Sequence, residues 1–177
     1  MVGRAINLPV ISTSRLRLEA IGAQHSGGMF QLWSDEEVCK YSGHAHDVHG
    51  KLIPLPARTA ADSDRIIQFF EFRQKEGTGC RWAMTLRPSG RFIGALGFNA
   101  LDEEYEIAWH LNPAHWGCGY MSEAVEAVMA WALAQGANVV NAYIEPGNTR
   151  SIRLAEKMGL RAQDVFDESA RKYSRER

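Results

Sequence analysis

The hydrophobic and polar residues of the chain alternate in three successive segments, which predicts three β-strands. Residues 81–87, 91–101 and 104–111 are rich in β-branched and aromatic residues, and the sequences PSG and LDE separate them. Because connectors this short join antiparallel neighbours, the three segments predict a meander. The same criteria predict further strands at residues 15–20, 139–144 and 162–166.

Helical periodicity predicts four helical regions between these strands. Residues 23–40 hold two short helical stretches that separate near Ser34, a candidate N-cap for the second. Thr59 caps a longer helix that runs to about Glu76 and ends at Gly77. The apolar stripe of this helix predicts a core contact by Ile66, Ile67, Phe69, Phe70 and Phe72. Two more helices are predicted at residues 122–135 and 148–158, and residues 41–58 predict a loop.

The order of these elements predicts one α/β domain of the α+β kind over residues 1–177. A strand and helices come first, then the meander, then β-helix-β-helix-β, and no linker interrupts the 177 residues. The net charge of −1 provides no global field that would attract nucleic acid or an anionic membrane surface. We therefore expect a small partner rather than either of these.

Cysteine usage and hydropathy predict a cytoplasmic location. The three cysteines are odd in number and far apart, and no two have metal-ligand spacing, which is typical of a reducing compartment. The first residues contain no apolar run of signal-peptide length, and nowhere do eighteen apolar residues run together.

A glycine-containing turn at residues 116–121, WGCGYM, is the strongest chemical signal. Gly117 and Gly119 lack Cβ, so their backbone can take positive φ and approach a ligand closely. The N–H groups at the start of the next helix, near Ser122, have no intrahelical acceptor and lie at the positive end of its dipole. The turn therefore predicts a pyrophosphate site, although an ordinary strand-to-helix connection is an alternative.

The position of the turn in the chain argues against a dinucleotide-binding Rossmann domain. In that fold the glycine turn follows the first strand of a repeated βαβ series. Here the meander precedes it, so the Rossmann reading remains only as a minor alternative.

Three blocks of sequence resemble the GNAT acyltransferase superfamily. The turn is similar to the coenzyme A loop R/Q-x-x-G-x-G/A, with Gly119 in its fourth place and Trp116 and Met121 departing from the pattern at the two ends. Residues 148–160, NTRSIRLAEKMGL, resemble the second signature of the family. Residues 13–18, TSRLRL, resemble the opening strand of its RimJ/RimL branch, which acetylates N-terminal amines of ribosomal proteins.

This resemblance implies a GNAT fold: a mixed central sheet with an antiparallel meander and splayed strands, and helices on both faces. It implies acetyl-CoA as cosubstrate, without a metal, in a V-shaped gap between the strands at residues 104–111 and 139–144. The cofactor-binding residues carried over are Trp109, His110, Leu111, Trp116, Gly117, Cys118, Gly119, Tyr120, Met121, Ser122, Asn148 and Ser151.

The implied reaction is N-acetylation of a protein N-terminal α-amine or a small-molecule amine, by direct attack in a ternary complex. Glu106 is the first candidate base and His110 the second, because both lie on the strand face opposite Ile107. For Glu106 the alternative is a pairing with a neighbouring arginine or exposure to solvent. The second function considered is a non-catalytic module that binds acyl-CoA as a sensor or scaffold.

On the leaving-group side, the resemblance assigns Ser151 the role of hydrogen-bond donor to the thiol. The alternative for Ser151 is a first-turn residue that bonds the backbone. Some branches of the family carry a tyrosine acid at the position that Ala155 holds here. The absence of this acid and the short C-terminal tail keep the sensor hypothesis open.

Two further segments carry weaker expectations. His44, His46 and His49 predict a solvated loop, or a lining of the acceptor pocket, rather than a metal site. Only 17 residues follow Leu160, so the C-terminal hairpin is expected to be short, with a stub at residues 172–175. Such a tail would be frayed or completed by a second subunit, and hence by a homodimer.

Overall fold

An eight-stranded sheet runs through the computed structural model of the protein, which describes residues 5–177. The elements in chain order are β1 (Ile11–Ser12), β2 (Leu16–Ala20), α1 (Ser26–Trp33), α2 (Glu36–Cys39), β3 (Ala45–His46), β4 (Leu52–Ile53), α3 (Ala60–Glu76), β5 (Cys80–Leu86), β6 (Phe92–Leu101), β7 (Tyr105–Leu111), α4 (Tyr120–Ala134), β8 (Val139–Ile144), α5 (Thr149–Lys157), β9 (Arg161–Asp167) and β10 (Ala170–Glu176).

The strand order in the large sheet is β1-β2-β5-β6-β7-β8-β10-β9. All neighbouring strands are antiparallel except β7 and β8, which are parallel. The meander of β5, β6 and β7 and the mixed α/β class are therefore confirmed. In the described part of the chain, β7 and β8 are thus the one parallel pair of this sheet.

Capping residues set the helix ends. Thr59 and Asp62 form a capping box at the start of α3, and Gly77 in the left-handed conformation ends it, as predicted. The prediction of Ser34 as a cap is wrong by one residue. The Asp35 carboxylate accepts the N–H groups of Glu37 and Val38, which a carboxylate does better than a hydroxyl at the positive end of a helix.

Hydrophobic cores lie on both faces of the sheet. The α4 face buries a group that includes Trp82, Leu96, Phe98, Ile107, Val125 and Val128. The opposite face packs α1 and α3 on the sheet through residues such as Met29, Leu32, Ile66, Ile67 and Ala95. Part of the predicted stripe of α3 is wrong as core, because the side chain of Phe72 is 43% exposed.

The predicted loop at residues 41–58 contains a small hairpin of β3 and β4, which pair through Ala45 with Ile53 and His46 with Leu52. A strand of two residues is too short to show a pattern of alternating hydrophobic and polar residues, so the sequence did not predict this hairpin. Within residues 5–177, no helix combines the length and the apolar character that crossing a membrane requires.

The C-terminal hairpin is longer than expected. β9 and β10 each span seven residues, and β10 lies between β8 and β9. The prediction of a stub at residues 172–175 is wrong, because six residue pairs from Arg171↔Ile144 to Glu176↔Val139 tie β10 to β8. The chain completes the sheet by itself, and the homodimer stays a prediction.

Candidate active site

The site lies where β7 and β8 separate. The two strands pair only at Tyr105↔Val140 and Glu106↔Asn141, although β7 continues to Leu111. Asn112 N donates to Ile93 O at 2.8 Å, so by alternation Trp109 and Leu111 direct their backbone N–H and C=O groups away from β6, into the gap. The gap thus exposes a strand edge that can bind an extended ligand.

One cavity of about 670 Å³ opens beside this edge. All but one of the predicted cofactor-binding residues line it: Trp109, His110, Leu111, Trp116, Gly117, Gly119, Tyr120, Met121, Ser122, Asn148 and Ser151. The exception is Cys118, which is exposed at the tip of the turn. Its carbonyl accepts a hydrogen bond from Arg15 Nη1 at 2.9 Å.

The glycine turn presents unpaired donors to this cavity. Gly117 and Gly119 have φ values of 74° and 79°, and Gly119 is the N-cap of α4 without a side-chain cap. Among the residues that the structure describes, the N–H groups from Gly117 to Ser122 donate to no protein acceptor. Helix α4 begins two residues earlier than predicted, which adds the first-turn donors of Tyr120 and Met121 to the site.

Four basic side chains in the same cavity were not predicted. Lys40, Arg150, Arg153 and Lys157 line it, whereas Glu37 is its one carboxylate in the described chain. Arg150, Arg153 and Lys157 are spaced i, i+3 and i+7 along α5, so a search for a charged helix face would have found them. The first cavity is therefore suited to a ligand that carries several negative charges.

Arg15, just before β2, and Glu123 in α4 form hydrogen bonds that stabilise the turn. Arg15 Nε donates to Glu123 Oε2 at 2.7 Å, and Thr13 Oγ1 donates to Glu123 Oε1 at 2.5 Å. Burial would raise the pKa of the Glu123 carboxyl, but these bonds outweigh it and hold that pKa below its usual value. The guanidinium carbon of Arg15 also lies 4.4 Å from the centre of the Tyr120 ring.

A second cavity of about 510 Å³ lies on the other side of the gap. The two cavities meet, because six residues line both of them: Tyr41, Ser42, Trp109, His110, Asn148 and Ser151. The lining of the second cavity includes Glu106, His44, His46, Phe69 and Phe70. The stripe of α3 thus supplies two aromatic rings to a cavity wall, and Phe70 also packs against the core, as predicted.

The two candidate bases occupy different environments. Glu106 Oε1 accepts a hydrogen bond from Asn99 Nδ2 at 2.8 Å, and within residues 5–177 it forms no ion pair. The His110 ring lies 4.5 Å from the Trp33 ring. Burial and then the charge of Arg81 lower the pKa of His110 to about 3, so His110 is a poor proton acceptor.

Ser151 stands at the junction of the two cavities. Its Oγ accepts a hydrogen bond from Trp109 Nε1 at 3.1 Å, and its backbone N–H donates to Asn148 Oδ1 at 3.3 Å. The Ser151 hydroxyl hydrogen therefore remains free to donate. Ala155 is fully buried in the core.

The fold and the paired cavities define an acetyltransferase of the GNAT class, and the comparison with family models agrees. The model for the acetyltransferase (GNAT) domain matches residues 15–161, and the chain belongs to this family. The uncharacterized N-acetyltransferase YoaA of Bacillus subtilis (strain 168) is 29% identical, over 89% of this chain and 86% of YoaA.

Two solved structures show the same fold. An acetyltransferase from Agrobacterium tumefaciens str. C58 superposes with a TM-score of 0.76 at 21% identity, covering 97% of this chain and 96% of that one. The RimL ribosomal L7/L12 alpha-N-protein acetyltransferase in complex with coenzyme A superposes with a TM-score of 0.76 at 16% identity, covering 94% and 97%. As for metals, residues 5–177 bring no three His, Cys, Asp or Glu side chains together as a ligand group.

Proposed function

We propose that this chain transfers the acetyl group of acetyl-CoA to a primary amine by direct attack in a ternary complex. The observation that carries the proposal is that two cavities meet at six shared residues, among them Trp109, His110, Asn148 and Ser151. One cavity has the donors and cations for a polyanionic cosubstrate. The other has a carboxylate, Glu106, for the amine.

The residues of the first cavity fit acetyl-CoA. The unpaired N–H groups of the turn and the positive end of α4 would hold the pyrophosphate. Lys40, Arg150, Arg153 and Lys157 would neutralise the remaining phosphate charge. The exposed edge of β7 would pair with the pantetheine amides, and a backbone N–H there would polarise the thioester carbonyl.

The chemistry requires a neutral amine at the junction. An α-amine with a pKa near 8 costs about 1.4 kcal/mol to deprotonate at pH 7, whereas a lysine near 10.4 costs about 4.6 kcal/mol. Glu106 takes the proton of the ammonium group, and the neutral nitrogen then forms the C–N bond as the C–S bond breaks. The second proton that the nitrogen loses passes to the sulfur, so coenzyme A leaves as the free thiol. The Ser151 hydroxyl donates to the departing sulfur, for which a weak donor is enough because a thiol with a pKa near 8.5 is a good leaving group.

The acceptor is either a protein N-terminal α-amine or a small-molecule amine. The solved neighbour described as an alpha-N-protein acetyltransferase supports including N-terminal amines among the candidates. A panel that spans short peptides, lysine derivatives and simple amines, assayed for release of free thiol, identifies the class.

Replacing Glu106 with Gln tests the role of the base. We expect kcat/KM to fall by about 10²-fold, with the Kd for acetyl-CoA unchanged, because the amide cannot accept the amine proton. Glu126→Gln is the matched control, since Glu126 is an exposed carboxylate of α4 outside both cavities. An unchanged rate in Glu106→Gln would move proton removal to water.

The same assays separate the enzyme from a binding module. Calorimetry measures acetyl-CoA binding independently of turnover, and a sensor would bind tightly while no amine in the panel releases thiol. A protein that is folded and does not bind acetyl-CoA would overturn both functions.

A further inference from the structure

A β-bulge in β6 brings Asn99 beside the candidate base. β6 and β7 pair in register at Phe98↔Ile107, the register then shifts, and pairing resumes at Ala100↔Glu106. Asn99 is the extra residue of this bulge, and bulges redirect side chains near active sites. Its Nδ2 donates to Glu106 Oε1 at 2.8 Å.

A buried arginine fixes the orientation of the Asn99 amide. Arg81 is 2% exposed, and its Nη2 donates to Asn99 Oδ1 at 2.6 Å. Because a guanidinium only donates, the oxygen of Asn99 must face Arg81, and its NH₂ group must face Glu106. The network is therefore directional, from Arg81 through Asn99 to one oxygen of the carboxylate.

The path of Arg81 across the sheet explains how it reaches this place. Arg81 pairs with Gly97 on β6, and Gly97 pairs with Ala108 on β7. Arg81 Nη1 donates to Ala108 O at 2.9 Å, so its side chain crosses β6 at Gly97. A Cβ at Gly97 would lie 2.2 Å from Cys80 O, which shows how tightly the strands approach there.

Arg81 keeps its charge in this position. Burial lowers the pKa of Arg81 to about 10, which leaves the guanidinium protonated at neutral pH. Its guanidinium carbon lies 4.4 Å from the centre of the Phe70 ring, which shields it. Arg81 also makes no ion pair with Glu106 in the described part of the chain, so the neutral amide of Asn99 stands between the two charges.

We propose that Asn99 and Arg81 are positioning residues for proton removal: Arg81 orients Asn99, and Asn99 holds Oε1 of Glu106, so that Oε2 remains to accept the proton of the amine. The inference rests on the proposed function, in which Glu106 is the base. It adds residues from two other strands, neither of which touches the substrate in the proposed reaction.

Other ionisable groups surround Glu106, and the test must hold them constant. Those that share the second cavity are Tyr41, His44, His46, Arg73, Cys80, Arg81, His110, Tyr143, Glu145, Asp167 and Glu168. On β8 the register partner of Glu106 is the uncharged Asn141. Substitutions at position 99 leave all of these in place. Because Asn99→Ala also removes the acceptor of the buried Arg81 Nη2, thermal unfolding of each variant checks that it is folded.

A double-mutant cycle measures whether Asn99 acts through Glu106. In the wild-type background, Asn99→Ala should lower kcat for the best panel amine by about 10-fold, with the Kd for acetyl-CoA unchanged. In the Glu106→Gln background, the same substitution should change kcat by less than about 2-fold, because the group that Asn99 positions is already absent. Asn138→Ala, at an exposed asparagine outside both cavities, is the matched control.

The pH profile separates positioning from a merely structural role. In Asn99→Asp the new carboxylate still accepts from Arg81, but it cannot donate to Glu106 and it repels the second negative charge. The acid limb of kcat/KM should therefore move up by about one pH unit. A shift of this kind, together with the coupling in the cycle, supports the inference.

Equal losses from Asn99→Ala in both backgrounds, or no loss in the wild type, would overturn the inference while leaving the acetyltransferase function intact. An acid limb that does not move in Asn99→Asp would do the same. If the wild-type protein released no thiol with any amine, the proposed function would fail, and this inference with it.

Discussion

His110 lies at the junction of the cavities, yet its surroundings keep it neutral. Burial against Trp33 and the nearby charge of Arg81 lower its pKa to about 3. Strand alternation placed His110 and Glu106 on one face and left both as candidate bases. Alternation reports which face a side chain occupies, but it carries no information about Arg81, which reaches this face from β5. The choice between the two bases therefore needed the structure.

The low pKa of His110 makes the protein sensitive to acid. Unfolded His110 takes up a proton as the pH falls below about 6.5, whereas folded His110 does not until about pH 3. As the pH is lowered through this window, the free energy of unfolding should thus decrease, by up to about 1.4 kcal/mol per pH unit. His110→Phe should remove about 2 kcal/mol of the loss between pH 6.5 and 4.5, as measured by urea unfolding.

His44 provides the control for this measurement, because it is an exposed histidine. His44→Phe should leave the pH dependence as in the wild type. If His110→Phe did the same, the acid sensitivity would originate elsewhere.

At the scale of elements, the turn before α4 and the face of α5 converge on the first cavity. Lys157 Nζ donates to Ser122 Oγ at 3.3 Å, which links the end of α5 to the start of α4. Arg150 lies over Trp116, with its guanidinium carbon 3.8 Å from the ring centre. Trp116 in turn donates from Nε1 to Leu111 O at 2.9 Å. Trp116, which departs from the family pattern, thus stabilises the turn through its contacts with Leu111 and Arg150.

Two glycines at opposite ends of α4 allow a matched test of the turn. Gly117 and Gly136 have φ values of 74° and 94°, and a Cβ added to either would meet nothing within 4 Å. Alanine at either position should cost about 1–2 kcal/mol of stability, from the strain of positive φ. Only Gly117→Ala should also weaken acetyl-CoA binding, by about 10-fold in calorimetry. Equal Kd values for the two variants would show that the turn does not bind the cosubstrate.

Some elements were predictable because their signals are local. Thr59 and Gly77 bound α3, and PSG separates two strands of the meander, so a few residues decide each element. The bulge at Asn99 and the crossing of Arg81 were not predictable, because both depend on the register between strands. The C-terminal hairpin was missed for a related reason. Its sequence DESARKYSRER lacks apolar alternation, and β10 is held by ladders on both sides.

At the scale of the whole molecule, β10 is the strand that joins β8, which borders the gap, to β9 at the edge of the sheet. Tyr173 is 6% exposed, and it pairs with Ala142 on β8 and Ala162 on β9. Tyr173→Ala should lower the free energy of unfolding by about 3–5 kcal/mol, because it removes a large ring from the core. Thermal unfolding would show the loss, and Glu176→Ala, at an exposed residue of the same strand, should stay within about 0.5 kcal/mol of the wild type.

The narrow contact between β7 and β8 has a consequence for motion. In the part of the large sheet that the structure describes, two residue pairs are the only ladder pairs that join β1, β2, β5, β6 and β7 on one side to β8, β10 and β9 on the other. Under the proposed binding mode, the pantetheine amides would form the hydrogen bonds that β7 lacks beyond these two pairs, and the ligand would link the two groups of strands. Without acetyl-CoA the two groups of strands could then separate locally at this contact, and binding would reduce that opening. Slow hydrogen exchange of the backbone amides of Trp109 and Leu111 would therefore report that acetyl-CoA is bound.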